Sequence, residues 1–379
     1  MGDCKSIVNA LYARNEGIYT VKVRKSNWEL MRIVAMLMIV AGHFFGQSGF
    51  FLHATGIDYW FATFTGSAAR IAVNMFLMLG CWFMVDSKHN SQHITRLYFN
   101  VWSLTVPITL VVFLLGLTQN TKDIMRGFFP FIGKGVWFAS AYLMLMLFSP
   151  WLHKVLDWPK DTVKKLLIMS SLFVSLWVTL YTFDRTEDQW LDILVWFSFI
   201  YVFIGYYKKY LNFKFNKYVV LFLGLLFYFI LALGSGYCAI HTGESKFINI
   251  GQKLFIGYLG DYKTLPNFII SFCIFYFFQR TDIGSNKTIN FIATGAFSTY
   301  IIHQTPVFIH VLWYDVYKCD SFLLTPWRSL YAILVILSTY FICLLVECVR
   351  RKWIENIILE TRFVLWIEKK LDLFYRNVI

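Results

Sequence analysis

Asn27-Trp-Glu-Leu-Met-Arg-Ile-Val-Ala-Met-Leu-Met-Ile-Val-Ala-Gly-His-Phe-Phe-Gly46 decides the fold. The run is as long as the ~20 residues that a membrane-crossing helix requires. After Asn27, only Glu29, Arg32 and His43 interrupt its apolar character. An ionisable group inside a bilayer is expensive, so Arg32 and His43 each demand a reason. Their spacing is three helical turns plus about 20°, which puts them on one face roughly 16 Å apart along the axis.

Outward from this run, apolar stretches recur along the 379 residues, which are 58% hydrophobic, 20% aromatic and 15% charged. Soluble domains run near 25% charged. That excludes a disordered chain, a collagen, a nucleic-acid-binding tail protein and an ordinary cytosolic enzyme. The expected fold is all-α, a polytopic integral membrane protein of about ten transmembrane helices. Spans are expected near 28–48, 67–86, 97–118, 135–152, 165–182, 190–207, 218–240, 264–279, 290–313 and 327–348. The stretch 247–260 is too short to cross and carries Lys253, which suggests an interfacial or re-entrant piece. The organisation is an N-terminal tail (1–27), one membrane domain (28–348) and an amphipathic tail (349–379). In that tail Trp353, Ile354, Ile357, Leu365, Leu371 and Phe374 recur at roughly helical spacing among charges, as in a helix lying on a leaflet.

The net charge is +13. Assigned loop by loop, Lys and Arg favour the two tails and the even-numbered loops by roughly three to one, so both termini are expected in the cytoplasm. The acidic loop around Asp184, Glu187 and Asp188 falls on the opposite side. The seven cysteines form no CxxC pair, and no metal site is expected. No Walker loop, dinucleotide fingerprint, HExxH or GxSxG elbow occurs.

A neutral imidazole at His43 can take a proton from a hydroxyl. Arg32 can hold a phosphate or neutralise a developing anion. The plainer alternatives are a hydrogen-bonded packing histidine and a snorkelling arginine, with Glu29 one turn before Arg32 as its partner.

The Arg32/His43 spacing resembles the first-span signature of the membrane acyltransferase-3 family. Further stretches are similar to that family in the expected order: Arg70-Ile-Ala-Val-Asn-Met-Phe-Leu-Met-Leu-Gly80, Val136-Trp-Phe-Ala-Ser-Ala-Tyr142 through Ser149-Pro150, Ile204-Gly-Tyr-Tyr-Lys-Lys-Tyr210, and Gly295-Ala-Phe-Ser-Thr-Tyr-Ile-Ile-His303. Two features depart from it. Leu79 stands where many members carry Ser, and His93-Ile-Thr-Arg96 keeps only the second arginine of an Arg-x-x-Arg pair.

The resemblance implies a membrane O-acyltransferase acting on a surface polysaccharide or its lipid-linked precursor. Acetyl-CoA would be the donor substrate, no cofactor would be permanently bound, and the setting would be a bacterial plasma membrane. His43 would be the general base, with Arg32 beside it as a catalytic residue. Tyr300, His303 and Asn74 would serve the acceptor or orient the base, and Arg96 and Lys88 would bind the donor. The partners would be acetyl-CoA, the glycan and the lipid bilayer, without nucleic acid. A transporter or flippase for glycan precursors, or a glycan polymerase, is the alternative on the residues alone.

Overall fold

The computed structural model describes residues 24–87, 91–132, 135–180 and 190–378. Among them every regular element is helical. The helices are α1 Ser26–Gln47, α2 Gly56–Gly66, α3 Ala69–Met84, α4 Ser91–Leu114, α5 Thr121–Phe128, α6 Trp137–Leu156, α7 Lys160–Leu180, α8 Trp190–Tyr210, α9 Lys217–Ile240, α10 Lys246–Gly260, α11 Leu265–Gln279, α12 Lys287–Ile292, α13 Ala296–His303, α14 Arg328–Arg350 and α15 Arg362–Val378. Of the segments described, seven are long and apolar enough to cross a membrane: α1, α2 running into α3, α4, α7, α8, α9, and α14 with the turns that follow it.

Two of the other expected spans are single helices, α6 and the shorter α11. The third, 290–313, is not one continuous helix. It divides into α12, a tight turn at Ala293–Gly295, α13, and a wide helical turn at Val311–Val316. Pro306 supplies the physical reason for the second break. It has no N–H to donate and biases Thr305 away from helix. Thr305 Oγ1 then donates to the Ile301 carbonyl at 2.8 Å, capping an acceptor near the end of α13.

The outward faces are apolar. On α9, Phe222, Leu223, Leu226, Phe229 and Ile230 are exposed, and on α14 so are Leu334, Phe341 and Leu345. Patches of this extent need a partner other than water. A bilayer satisfies them, and backbone groups paired within each helix make the crossing tolerable.

The centre of the fold is α1, which packs against α3, α11, α13 and α14. Gly42 makes the approach possible. A Cβ there would lie 2.2 Å from Ala69 Cβ and 3.1 Å from the Gly66 carbonyl, at the junction of α2 and α3. Residue 43 is therefore held beside the start of α3. At the far end of α3, Gly80 leaves room for the Tyr142 ring from α6, whose hydroxyl would be 2.5 Å from a Cβ at that position.

The segment 247–260 forms a helix, α10. The C-terminal tail ends in α15, whose polar side docks on α4. Ser91 Oγ donates to Asp372, Thr95 Oγ1 donates to Glu368 at 2.7 Å, and Tyr375 donates to the Leu147 carbonyl at 3.0 Å. Phe363, Trp366 and Phe374 remain exposed, interspersed with Lys369, Lys370 and Arg376.

Candidate active site

His43 and His303 meet although 260 positions separate them in sequence: His43 Nδ1 lies 2.9 Å from His303 Nε2. The other nitrogen of His303 contacts the carbonyl of Thr299, one turn back on α13. A carbonyl can only accept, so His303 carries its proton on Nδ1. In a neutral ring the His303 Nε2 is then the acceptor, and His43 must donate from Nδ1. One nitrogen remains, His43 Nε2, with its lone pair unused. This assignment rests on the hydrogen-bond network.

The network has the form of an imidazole held by an orienting partner. His303 is fully buried, with no accessible surface. His43 is only partly buried and lines a cavity of about 130 Å³ together with Arg70, Trp137 and Tyr300. Tyr300 is on the same face of α13 as His303, one turn earlier. Its hydroxyl accepts the Phe138 backbone N–H at 3.1 Å. That N–H belongs to the first turn of α6 and has no partner within its own helix. Tyr300 thereby ties α6 to α13 while its own hydroxyl proton stays available to the cavity.

Beyond the histidines, Gln47 and Gln304 fix the ends of α1 and α13 to each other. Their side-chain amides pair at 3.3 Å, the indole N–H of Trp313 donates to Gln47 Oε1 at 2.9 Å, and the Tyr314 hydroxyl donates to the Gln47 carbonyl at 3.1 Å. These part-buried bonds join the ends of α1 and α13 next to the two histidines.

Arg32 does not share the cavity of His43. It lines a second chamber of about 240 Å³ with Arg24, Glu29, Tyr142 and Arg351. Phe76, Phe138 and Phe297 line both chambers, so three aromatic rings stand between the arginines and the histidines. Arg32 Nη1 donates to both oxygens of Glu29, at 2.8 and 2.7 Å. The shared helix face expected for Arg32 and His43 is thus divided into two compartments.

Asn74 lies away from both chambers. It has no accessible surface, donates to the Tyr262 carbonyl at 2.7 Å and accepts from the Trp196 indole at 3.0 Å. Both ends of its amide are engaged in joining α3, α8 and the turn before α11. Arg96 is exposed on α4 and lines neither chamber. Lys88 lies outside the described residues.

Three residues at the chambers carried no assigned role in the sequence: Arg70, Arg24 and Arg351. Arg70 could have been found as a cation at the start of a span, where charge needs a reason. Nothing local distinguishes Arg351 from the other basic residues of the tail. Its position is fixed by Glu347, which accepts from Arg351 Nε and, at 2.7 and 2.9 Å, from Arg350. Among the described residues no three His, Cys, Asp or Glu side chains are placed to hold a metal ion together.

An oriented imidazole with a free nitrogen, facing a cavity beside a hydroxyl and a guanidinium, suits proton abstraction from an acceptor and attack on a carbonyl. Comparison with curated proteins and with solved structures returns no match. A family model described as an acyltransferase domain matches residues 25–347, nearly the whole chain, leaving only Arg24 and Arg351 of the chamber-lining residues outside it. With its apolar helices, this supports a membrane acyltransferase, and the chain belongs to the acyltransferase-3 family.

Proposed function

We propose that this protein transfers an acetyl group from acetyl-CoA to a hydroxyl of a surface polysaccharide or its lipid-linked precursor, in the cell membrane, with both termini in the cytoplasm. The observation that carries the reading is the chain from Thr299 through His303 to His43, which leaves one basic nitrogen facing the cavity. In the reaction, His43 Nε2 takes the proton of the acceptor hydroxyl as its oxygen attacks the thioester carbonyl. A C–O bond forms, the C–S bond breaks, and the thiolate leaves with the proton held by His43. The imidazolium is stabilised by Nδ1–H donation to His303. Arg70 and the Tyr300 hydroxyl are the groups placed to stabilise the oxyanion.

The Arg32 end of α1 then faces the cytoplasm, where the basic loops lie, and the His43 end is deeper or outward. Arg96 and the basic inner surface draw in the anionic donor by long-range attraction. The test is acetyl transfer in isolated membranes, from labelled acetyl-CoA to the host's glycan fraction, with wild type and His43→Ala at matched protein levels. Label that depends on His43 supports the assignment. Label that persists in His43→Ala returns His43 to a packing role. Absence of label with a competent acceptor overturns the enzymatic reading of this site.

A further inference from the structure

The arginine chamber contains donor groups without acceptors. Arginine has five N–H donors arranged as a fork. Arg32 commits only Nη1, to Glu29, leaving Nε and Nη2 without a partner among the described residues. Arg351 commits Nε to Glu347 and Nη2 to the Thr294 carbonyl at 3.3 Å, leaving Nη1. Arg24 has no hydrogen-bond or ion-pair partner among the described residues, and it is exposed. These groups come from three places in the chain: two residues before α1, the second turn of α1, and the turn just after α14. They line one space of about 240 Å³ whose only carboxylate among the described residues, Glu29, is already bound to Arg32.

The anchoring of Arg351 indicates a built site. Glu347 is buried, at 1% exposure, and is held by Arg350, which is itself buried and donates to Asn100 at 3.0 Å and to Glu355 at 3.1 Å. A buried charge network is costly unless its geometry is well satisfied. Here it ends in Arg351, which lines the chamber. Planar guanidinium groups match phosphate oxygens better than any other side chain.

We propose that the arginine chamber binds the phosphate-bearing end of the acyl donor through Arg24, Arg32 and Arg351. Phe76, Phe138 and Phe297 then pass only the thin, uncharged pantetheine arm toward His43. This rests on the acyl-CoA reading of the preceding section and deepens it. The direct phosphate contacts are placed on the chain before α1 and just after α14 rather than on α4, where Arg96 lies off the chamber.

The experiment compares two donors on purified protein in lipid nanodiscs. Acetyl-CoA carries the phosphates, and S-acetyl-pantetheine has the same thioester and arm without the nucleotide phosphates. In Arg351→Gln, KM for acetyl-CoA is expected to rise about ten- to a hundredfold, the usual cost of losing a charge-assisted hydrogen bond, with kcat unchanged. Kinetics with S-acetyl-pantetheine should match wild type. Arg24→Gln, which removes no contact to a described residue, should show the same donor-selective change if Arg351→Gln fails to fold. Equal effects on both donors, or none on either, would overturn the proposal and leave these arginines to lipid headgroups. If wild type transfers from neither donor, the acyltransferase reading fails separately. Calorimetric titration with CoA then decides this one: binding by wild type that weakens in Arg351→Gln upholds a phosphate site, and no binding by wild type refutes it.

Discussion

Replacing His303 is the sharpest test of the histidine pair, because His303 touches His43, the proposed base, and does not line the cavity. His303→Ala removes the acceptor for His43 Nδ1–H, a contact of 2.9 Å, and leaves that N–H unpaired in a closed environment. A hydrogen bond lost in this way is worth about 1–3 kcal/mol, and each 1.36 kcal/mol is about tenfold in rate. The expected loss in kcat is therefore about ten- to a hundredfold, with donor KM little changed. His43→Ala removes the base itself and should cost about 10²–10⁴-fold. The double variant should be no slower than His43→Ala, because His303 acts only through His43. His303→Gln places an amide oxygen near the position of Nε2 and should recover part of the loss. A functional wild type also fixes the pH response: kcat/KM falls on acidification as His43 Nε2 takes up a proton, and that limb vanishes in His43→Ala. The assay is initial rates of acetyl transfer in nanodiscs, at protein concentrations fixed by thermal unfolding of each variant. If the two single losses multiply in the double variant, His303 does not work through His43 and the tautomer argument is refuted.

Three further predictions concern stability and read out by thermal unfolding of the detergent-solubilised protein. Gly42→Ala puts a Cβ 2.2 Å from Ala69 Cβ. It should cost about 1–3 kcal/mol by overpacking, and Ala69→Gly in the same chain should recover most of it; no recovery would mean the contact with Ala69 is not the cause. Asn74→Leu strands the Trp196 indole N–H and the Tyr262 carbonyl, so it should destabilise by about 1–3 kcal/mol per unpaired group while activity per folded molecule persists. A drop in specific activity at unchanged stability would instead place Asn74 in the chemistry. Glu347→Leu removes the bidentate partner of buried Arg350 and leaves it only Glu355 at 3.1 Å, so it should cost at most about 3–5 kcal/mol, whereas an unchanged melting temperature would show that Glu355, water or lipid phosphate satisfies Arg350 instead.

The all-helical membrane fold was legible in the sequence because bilayer thickness sets a length scale that α1, α4, α8, α9 and α14 each satisfy with a long, mostly apolar run. Interruptions were harder to read. The span expected at 290–313 breaks near Pro306, and the turn at Gly295 depends on Leu344, whose side chain a Cβ at that glycine would meet at 2.8 Å. That neighbour lies on α14, which no reading of the local sequence supplies.

The candidate site divides along the same line. Arg32 and His43 stood out in the sequence because polar groups among apolar neighbours carry a solvation cost wherever they are placed, and Tyr300 and His303 were singled out by the family resemblance. What the sequence by itself determined is therefore which residues needed partners. Only the tertiary structure decided which partners they found: His303 for His43, Glu29 with the arginine chamber for Arg32, and Phe138 for Tyr300. It also set Asn74 among Trp196 and Tyr262, and brought Arg351 from a basic tail into the chamber with Arg32. The physical reason is that burial cost is a property of one residue and its immediate run. Pairing depends on contacts between helices far apart in the chain, which form only when the bundle closes around α1.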